Sequence, residues 1–137
     1  MEAPDEQQAR SLSERAFRFR MMGALREARE LYLRSLEQWR ALGNQRGAAE
    51  ALQKLGEIEM DFQRAEEAEA YLRESAALWE RLGEWESCAD CLRKLGRMAR
   101  GQGRHAAAEA IQRERWRAME LSRLQWEDSA RRGEPGR

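Results

Sequence analysis

An all-α array of three stacked helix pairs, six helices in all, is the fold class this sequence predicts, on three observations. The first is an internal repeat. Leu52-Gln53-Lys54-Leu55-Gly56 falls on Leu92-Arg93-Lys94-Leu95-Gly96 at an offset of 40 residues. The same offset carries Trp39 onto Trp79, Leu42-Gly43 onto Leu82-Gly83, Glu27-Ala28 onto Glu67-Ala68 and Ala68 onto Ala108, without a gap. Periods of this length mark stacked supersecondary units. The second observation is composition: alanine, leucine, glutamate and arginine dominate, and the only prolines, Pro4 and Pro135, lie at the ends, a mix that favours helix. The third is helical apolar periodicity, with Leu52, Leu55, Ile58 and Phe62 on one stripe and Ala65, Ala68, Leu72, Ala76 and Trp79 on the next.

The elements follow in order. Helix 1 is expected over 5–22, entered at Asp5 with Gln8 or through Ser11-Leu12-Ser13-Glu14 as a capping box, and left at Gly23. Helix 2, over 24–42, ends on Gly43 as a left-handed cap. Helix 3, over 46–62, breaks at Gln63-Arg64, and helix 4, over 64–82, ends on Gly83. Trp85 falls in the linker before helix 5, over 86–101. Gly103 and His105 fall in the turn before helix 6, over 104–128, whose Ile111, Trp116, Met119 and Leu124 are expected to fold over the open end. The resulting organisation is a lead-in over 1–8, repeats over 9–47, 48–87 and 88–127, the last with an extended C-terminal capping helix, and a flexible tail over 128–137. Small residues are needed where paired helices cross, so Gly56 and Gly96 are expected to face Ala68 and Ala108. Each pair alone leaves an apolar face wet, which makes stacking obligatory.

These features exclude several function classes. No run of 18 apolar residues exists and the N-terminus is acidic, so no membrane association and a cytoplasmic location are expected. Cys88 and Cys91 sit three apart on a helical stretch with no strand before them, which reads as two small apolar residues facing a core and not as a redox pair. His105 is the only histidine, so neither a two-histidine metal site nor a Ser-His-Asp triad is assembled. Gly101-Gln102-Gly103 is a helix-pair turn and no phosphate loop follows a strand. No enzyme, no cofactor and no metal are expected.

The pattern resembles tetratricopeptide repeats. A large residue, two variable ones, Leu-Gly, an alanine twelve residues on and a small residue seven further are matched by Leu52, Leu55-Gly56, Ala68 and Ser75. Leu92, Leu95-Gly96 and Ala108 match again, but Arg115 takes the last small position. The first unit keeps Leu12, Ala28 and Ser35 and has Arg15-Ala16 for Leu-Gly. The family's closing proline is absent and the second helices run long, as in the 40-residue variant of G-protein-signalling modulators and large bacterial signalling regulators, where Leu-Gly and two or three polar residues join the units, like Leu42-Gly43-Asn44-Gln45-Arg46-Gly47 here.

The resemblance implies a right-handed α-solenoid whose first helices line a concave groove, and a protein-protein interaction module or adaptor that takes a partner peptide or helix there. Carried over by position, the groove residues are Arg10, Ser13, Phe17, Arg20 and Met21 in unit one. They are Glu50, Gln53, Glu57, Met60 and Asp61 in unit two, and Asp90, Arg93, Arg97, Arg100 and Gly101 in unit three. Such a groove is acidic in the middle and basic at the far end. The family's clamp for a chaperone's C-terminal carboxylate is disfavoured, because Ser13 and Phe17 stand where lysine and asparagine are needed and Glu57 repels a carboxylate.

Net charge is zero, yet it is ordered: residues 8–47 hold nine basic and four acidic side chains, 48–87 four and eleven, 88–127 nine and five. A groove ligand is therefore expected to present acidic residues to repeat 3. The arginine-rich helices raise RNA binding as a minor alternative, opposed by the acidic middle unit. The main alternative is a structural, oligomerising unit that forms a homodimer through its ends.

Overall fold

The computed structural model describes residues 5–134. Six helices follow one another, α1 Glu6–Met21, α2 Leu25–Ala41, α3 Gln45–Asp61, α4 Ala65–Arg81, α5 Trp85–Gly101 and α6 His105–Arg131. The chain is all-α over the described residues. Each helix packs against the one before and the one after it, so the molecule is built from nearest-neighbour interfaces.

One turn closes every junction. After a last helical residue in αR comes a residue at positive φ: Gly23 (80°), Gly43 (68°), Gln63 (60°), Gly83 (70°) and Gly103 (74°). The residue after it returns its N–H to a carbonyl five back: Ala24 to Phe19, Asn44 to Trp39, Arg64 to Glu59, Glu84 to Trp79 and Arg104 to Ala99, all within 2.8–3.0 Å. That is the Schellman arrangement, which satisfies the last carbonyls. Turns within and between units are thus the same three-residue device, and α3 begins at Gln45, one residue before the start expected at 46. Trp85 and His105 are correspondingly the first residues of α5 and α6, not linker and turn residues. Asp5 caps α1 by accepting from Gln7 N–H at 2.9 Å, and Asn44 caps α3 by accepting from Gly47 N–H at 2.8 Å.

The core forms two layers. Leu12, Ala28, Leu31, Tyr32, Leu36, Trp39, Leu52, Leu55 and Ile58 join α1, α2 and α3. Leu72, Ala76, Trp79, Cys88, Cys91, Leu92, Leu95 and Ile111 join α4, α5 and α6. Two buried hydroxyls lock the pairs. Ser35 Oγ donates to the Ala9 carbonyl at 3.1 Å, and Ser75 Oγ donates to the Ala49 carbonyl at 2.8 Å. A small side chain is required at these crossings and its hydroxyl finds a carbonyl on the facing helix, so burial leaves it paired. In unit three Arg115 stands there instead, half-buried.

Three expectations need correcting. Gly56 is a close crossing, since a Cβ there would lie 2.7 Å from Leu72 Cγ, but a Cβ at Gly96 meets only Ile111 Cγ2 at an ordinary 3.6 Å. Of the capping set, Ile111 alone is buried; Trp116, Met119 and Leu124 are exposed, with Trp116 at 62%. The tail expected over 128–137 is helical to Arg131, with Gly133 at positive φ after it; residues 1–4 and 135–137 lie outside the described ones.

The charge order becomes ion pairs between units. Arg40 meets Glu74 at 2.6 Å and Arg29 meets Glu59 at 3.3 Å across units one and two. Arg73 meets Glu114 at 3.0 Å and Arg104 meets Glu69 at 3.3 Å across units two and three. The exposed pairs contribute about 0.2–1 kcal/mol each and select neighbours more than they stabilise.

Candidate functional site

The first helices carry the residues expected to line the groove, and their side chains divide into two groups. One group is engaged within the protein. Arg20 of α1 reaches Glu57 of α3 at 3.8 Å and Asp61 at 3.4 Å. Glu57 lies 3.2 Å from Lys94 of α5 and 3.5 Å from Lys54. Lys94 also pairs with Asp90 at 2.8 Å, and Arg93 pairs with Asp90 at 2.7 Å. Charges alternate along this ladder across α1, α3 and α5, so Glu57 and Asp61 of the acidic middle are neutralised by their neighbours, while Glu50 has no such partner among the described residues. Burial works to raise the Asp90 carboxyl, but hydrogen bonds from Lys94 and Arg93 outweigh it and hold the group below the usual carboxylate range. Burial likewise works to lower Lys94, and the Asp90 hydrogen bond and the Glu57 charge overcome it and raise the ammonium.

Gln53 belongs to the same group. Its Oε1 accepts from Trp79 Nε1–H at 3.1 Å, and its Nε2 donates to Asp90 Oδ2 at 2.8 Å. Arg46 lies over the Trp79 ring, 5.8 Å from the centroid, and pairs with Glu84. Ser13 is hydrogen-bonded to Ser35 at 2.5 Å. Met60 is half-buried against the second core layer.

The second group is open. Phe17 is 48% and Met21 69% exposed at the α1 end. Arg97 and Arg100 are exposed at the α5 end, beside Gly101, and have no ion pair among the described residues. Arg10 pairs only with exposed Glu6, at 2.7 Å. Glu50 is exposed with no partner among the described residues.

Two cavities flank this face. One of about 780 Å³ is lined by Arg10, Ser13, Phe17, Trp39, Gly47 and Glu50 among others. Another of about 440 Å³ lies toward the open end, with Gln53, Asp90, Arg93, Arg115 and Met119 in its wall. Sequence reasoning missed Trp39, Gly47 and Lys94 as residues of this face. The signal for Lys94 was its i+4 spacing from Asp90; that for Trp39 and Gly47 is tertiary. It also missed Glu59, a buried carboxylate held by Arg29 at 3.3 Å and Arg64 at 3.8 Å, with both guanidiniums on the Phe62 ring.

Cys88 and Cys91 are free and buried, and burial pushes each thiol up from 9.0 to about 11. They face the core, as their helical placement predicts. Each stays protonated in the fold while an unfolded chain ionises first, so their contribution holds below pH 9.0 and falls as pH rises toward about 11. Tyr32, pushed up to about 12 by burial, acts in the same direction above pH 10.0. The expected result is native thiols inert to a disulfide reagent at neutral pH. Urea midpoints should fall over that alkaline window, and less steeply in Cys88→Ala/Cys91→Ala. Fast labelling of the native protein would contradict this burial.

Among the described residues no group of histidine, cysteine or acidic side chains fits a metal ion, and no helix is long and apolar enough to cross a membrane. A family model described as Tetratricopeptide repeat matches residues 47–120, more than half of the chain. No curated protein matches it.

Proposed function

This chain belongs to the tetratricopeptide repeat family, and from that premise we propose that it is an adaptor binding a segment of a partner protein along the face of α1, α3 and α5. Repeats of this family are generally protein-protein interaction modules. The observation that supports the reading is where unpaired side chains lie. In the middle of the face Glu57 and Asp90 are neutralised within the Arg20–Glu57–Lys94–Asp90 ladder, and Glu50 stays unpaired among the described residues on the side of unit one. The ends of the face keep exposed Phe17 and Met21 on one side and unpaired Arg97 and Arg100 on the other. A matching ligand is a peptide or helix with apolar residues toward unit one and carboxylates toward unit three. The reading involves no catalytic group and no cofactor, and a cytoplasmic setting keeps the two thiols reduced.

The test is capture of a partner on the wild-type protein, identification, and affinity measurement with two charge-reversed variants. Arg97→Glu/Arg100→Glu should weaken binding by roughly tenfold or more, equivalent to about 1.4 kcal/mol. Arg34→Glu/Arg81→Glu, on the second helices, should leave it unchanged. The opposite pattern moves the site to the other face.

A second reading has one observation in its favour. Trp116 and Met119 stand 40 residues after Ala76 and Trp79, which are buried, yet both are exposed on α6 together with Trp126. Self-association through that end predicts a concentration-dependent mass in light scattering that Trp116→Ser/Trp126→Ser abolishes.

A further inference from the structure

Units one and two are built alike, but they treat the tryptophan at the end of the second helix differently. In unit two the Gln53 carboxamide bridges two groups: its carbonyl accepts from Trp79 Nε1–H at 3.1 Å, and its N–H donates to Asp90 at 2.8 Å. Forty residues earlier the three positions are Ser13, Trp39 and Glu50. The serine is too short to span the gap, and its hydroxyl is already bonded to Ser35 at 2.5 Å. Trp39 is 6% exposed, and its indole N–H has no hydrogen-bond partner among the described residues. Glu50, on the next helix, also has none. All three line the cavity of about 780 Å³, with exposed Phe17 at its rim.

We propose that this cavity is a subsite for the side-chain carboxamide of a glutamine in a partner segment, which takes the place that Gln53 occupies between Trp79 and Asp90. The carbonyl oxygen accepts from Trp39 Nε1–H, the amide N–H donates to Glu50, and the methylene stem lies against Phe17. The occupant's chemistry is read from the protein itself, because unit two shows which group satisfies an indole donor and a carboxylate at the equivalent positions. The Trp39 indole N–H has no protein partner among the described residues but is not sealed from solvent, so a ligand carbonyl in the cavity replaces water with a hydrogen bond in a largely buried setting. A carboxylate side chain does not fit: it offers no donor to Glu50 and is repelled by it. The proposal rests on the binding face described above and gives that face one specific contact.

The test needs no natural partner, so its outcome is separable from that of the charge-reversal experiment. The five tryptophans give indole N–H resonances in a ¹⁵N-labelled protein, with those of Trp39 and Trp79 assigned by Trp39→Phe and Trp79→Phe. In the free protein the Trp79 indole proton should exchange more slowly than that of Trp39. Acetylated, amidated alanine pentapeptides with a central glutamine or a central glutamate are then titrated. The glutamine peptide should shift the Trp39 indole signal and bind on the order of tenfold more tightly than the glutamate peptide, the effect of one well-made hydrogen-bonded contact. Ser13→Gln should slow exchange at Trp39 and remove the response, by filling the site from within. Glu50→Ala, at an exposed position, should weaken the response without affecting the fold. Equal shifts from both peptides, no shift from either, or a response that survives Ser13→Gln would each overturn the proposal.

Discussion

Trp79→Ala should destabilise the protein by about 3–5 kcal/mol, the range for truncating a buried aromatic side chain, which is a large share of the roughly 5–15 kcal/mol that holds a domain of this kind. Trp79 is 3% exposed between α4 and α5. Its loss opens a cavity, removes the donor to Gln53 and leaves Arg46 without its ring. Because the array is coupled only through neighbours, the damage falls on the junction between units two and three. Urea unfolding followed by helical circular dichroism should show the lower stability. Amide exchange should show α5 and α6 opening ahead of α1, α2 and α3. Trp39→Ala should cost less, since Trp39 lacks both the hydrogen bond and the cation. A loss below about 1 kcal/mol for Trp79→Ala would show that the neighbours collapse into the cavity, against the close packing expected of such a core.

Gly47→Ala should be destabilising although alanine is the better helix former. A Cβ on Gly47 would lie 2.6 Å from Cε3 and 2.7 Å from Cε2 of Trp39. The indole is a rigid plate wedged between α2 and α3, so either it or the first turn of α3 must move. Overpacking of this kind costs about 1–3 kcal/mol, more than the roughly 1 kcal/mol that alanine gains over glycine in a helix. Gly56→Ala should be milder, because its obstacle at 2.7 Å is the Leu72 side chain, which can rotate, although the Ala68 carbonyl at 3.4 Å limits the retreat. Gly96→Ala should raise stability by about 0.5–1 kcal/mol, since it meets Ile111 Cγ2 at 3.6 Å. The order Gly96→Ala, wild type, Gly56→Ala, Gly47→Ala in melting temperature is the expected outcome. A stabilising Gly47→Ala would remove the indole contact as the reason for that glycine.

The glycine series shows how far the repeat pattern alone carries. Gly56 and Gly96 occupy equivalent positions and look interchangeable, yet one is pressed on a buried leucine and the other is not. The difference is Leu72 against Gln112 and Tyr71 against Ile111 on the facing helices, a matter of which side chain projects into the crossing. Gly47 looks like part of a polar connection and proves to be the floor under an indole.

Helix count, the turn positions at Gly23, Gly43, Gln63, Gly83 and Gly103, the core stripes and the burial of both cysteines were legible in the sequence. All depend on chemistry local to a helix or a turn, where spacing along the chain is the same as spacing in space. The candidate groove was legible as a set of positions, but not as a set of free charges. Arg20, Glu57, Lys94 and Asp90 are far apart in sequence, and their mutual neutralisation exists only because stacking brings α1, α3 and α5 side by side. The same holds for Ser13, Trp39 and Glu50. A serine in place of a glutamine is unremarkable in the chain and becomes an opening only when three helices converge on it. Local order follows from the residues along each helix; whether a given side chain is spent on the fold or left for a partner is settled by the neighbours that packing supplies.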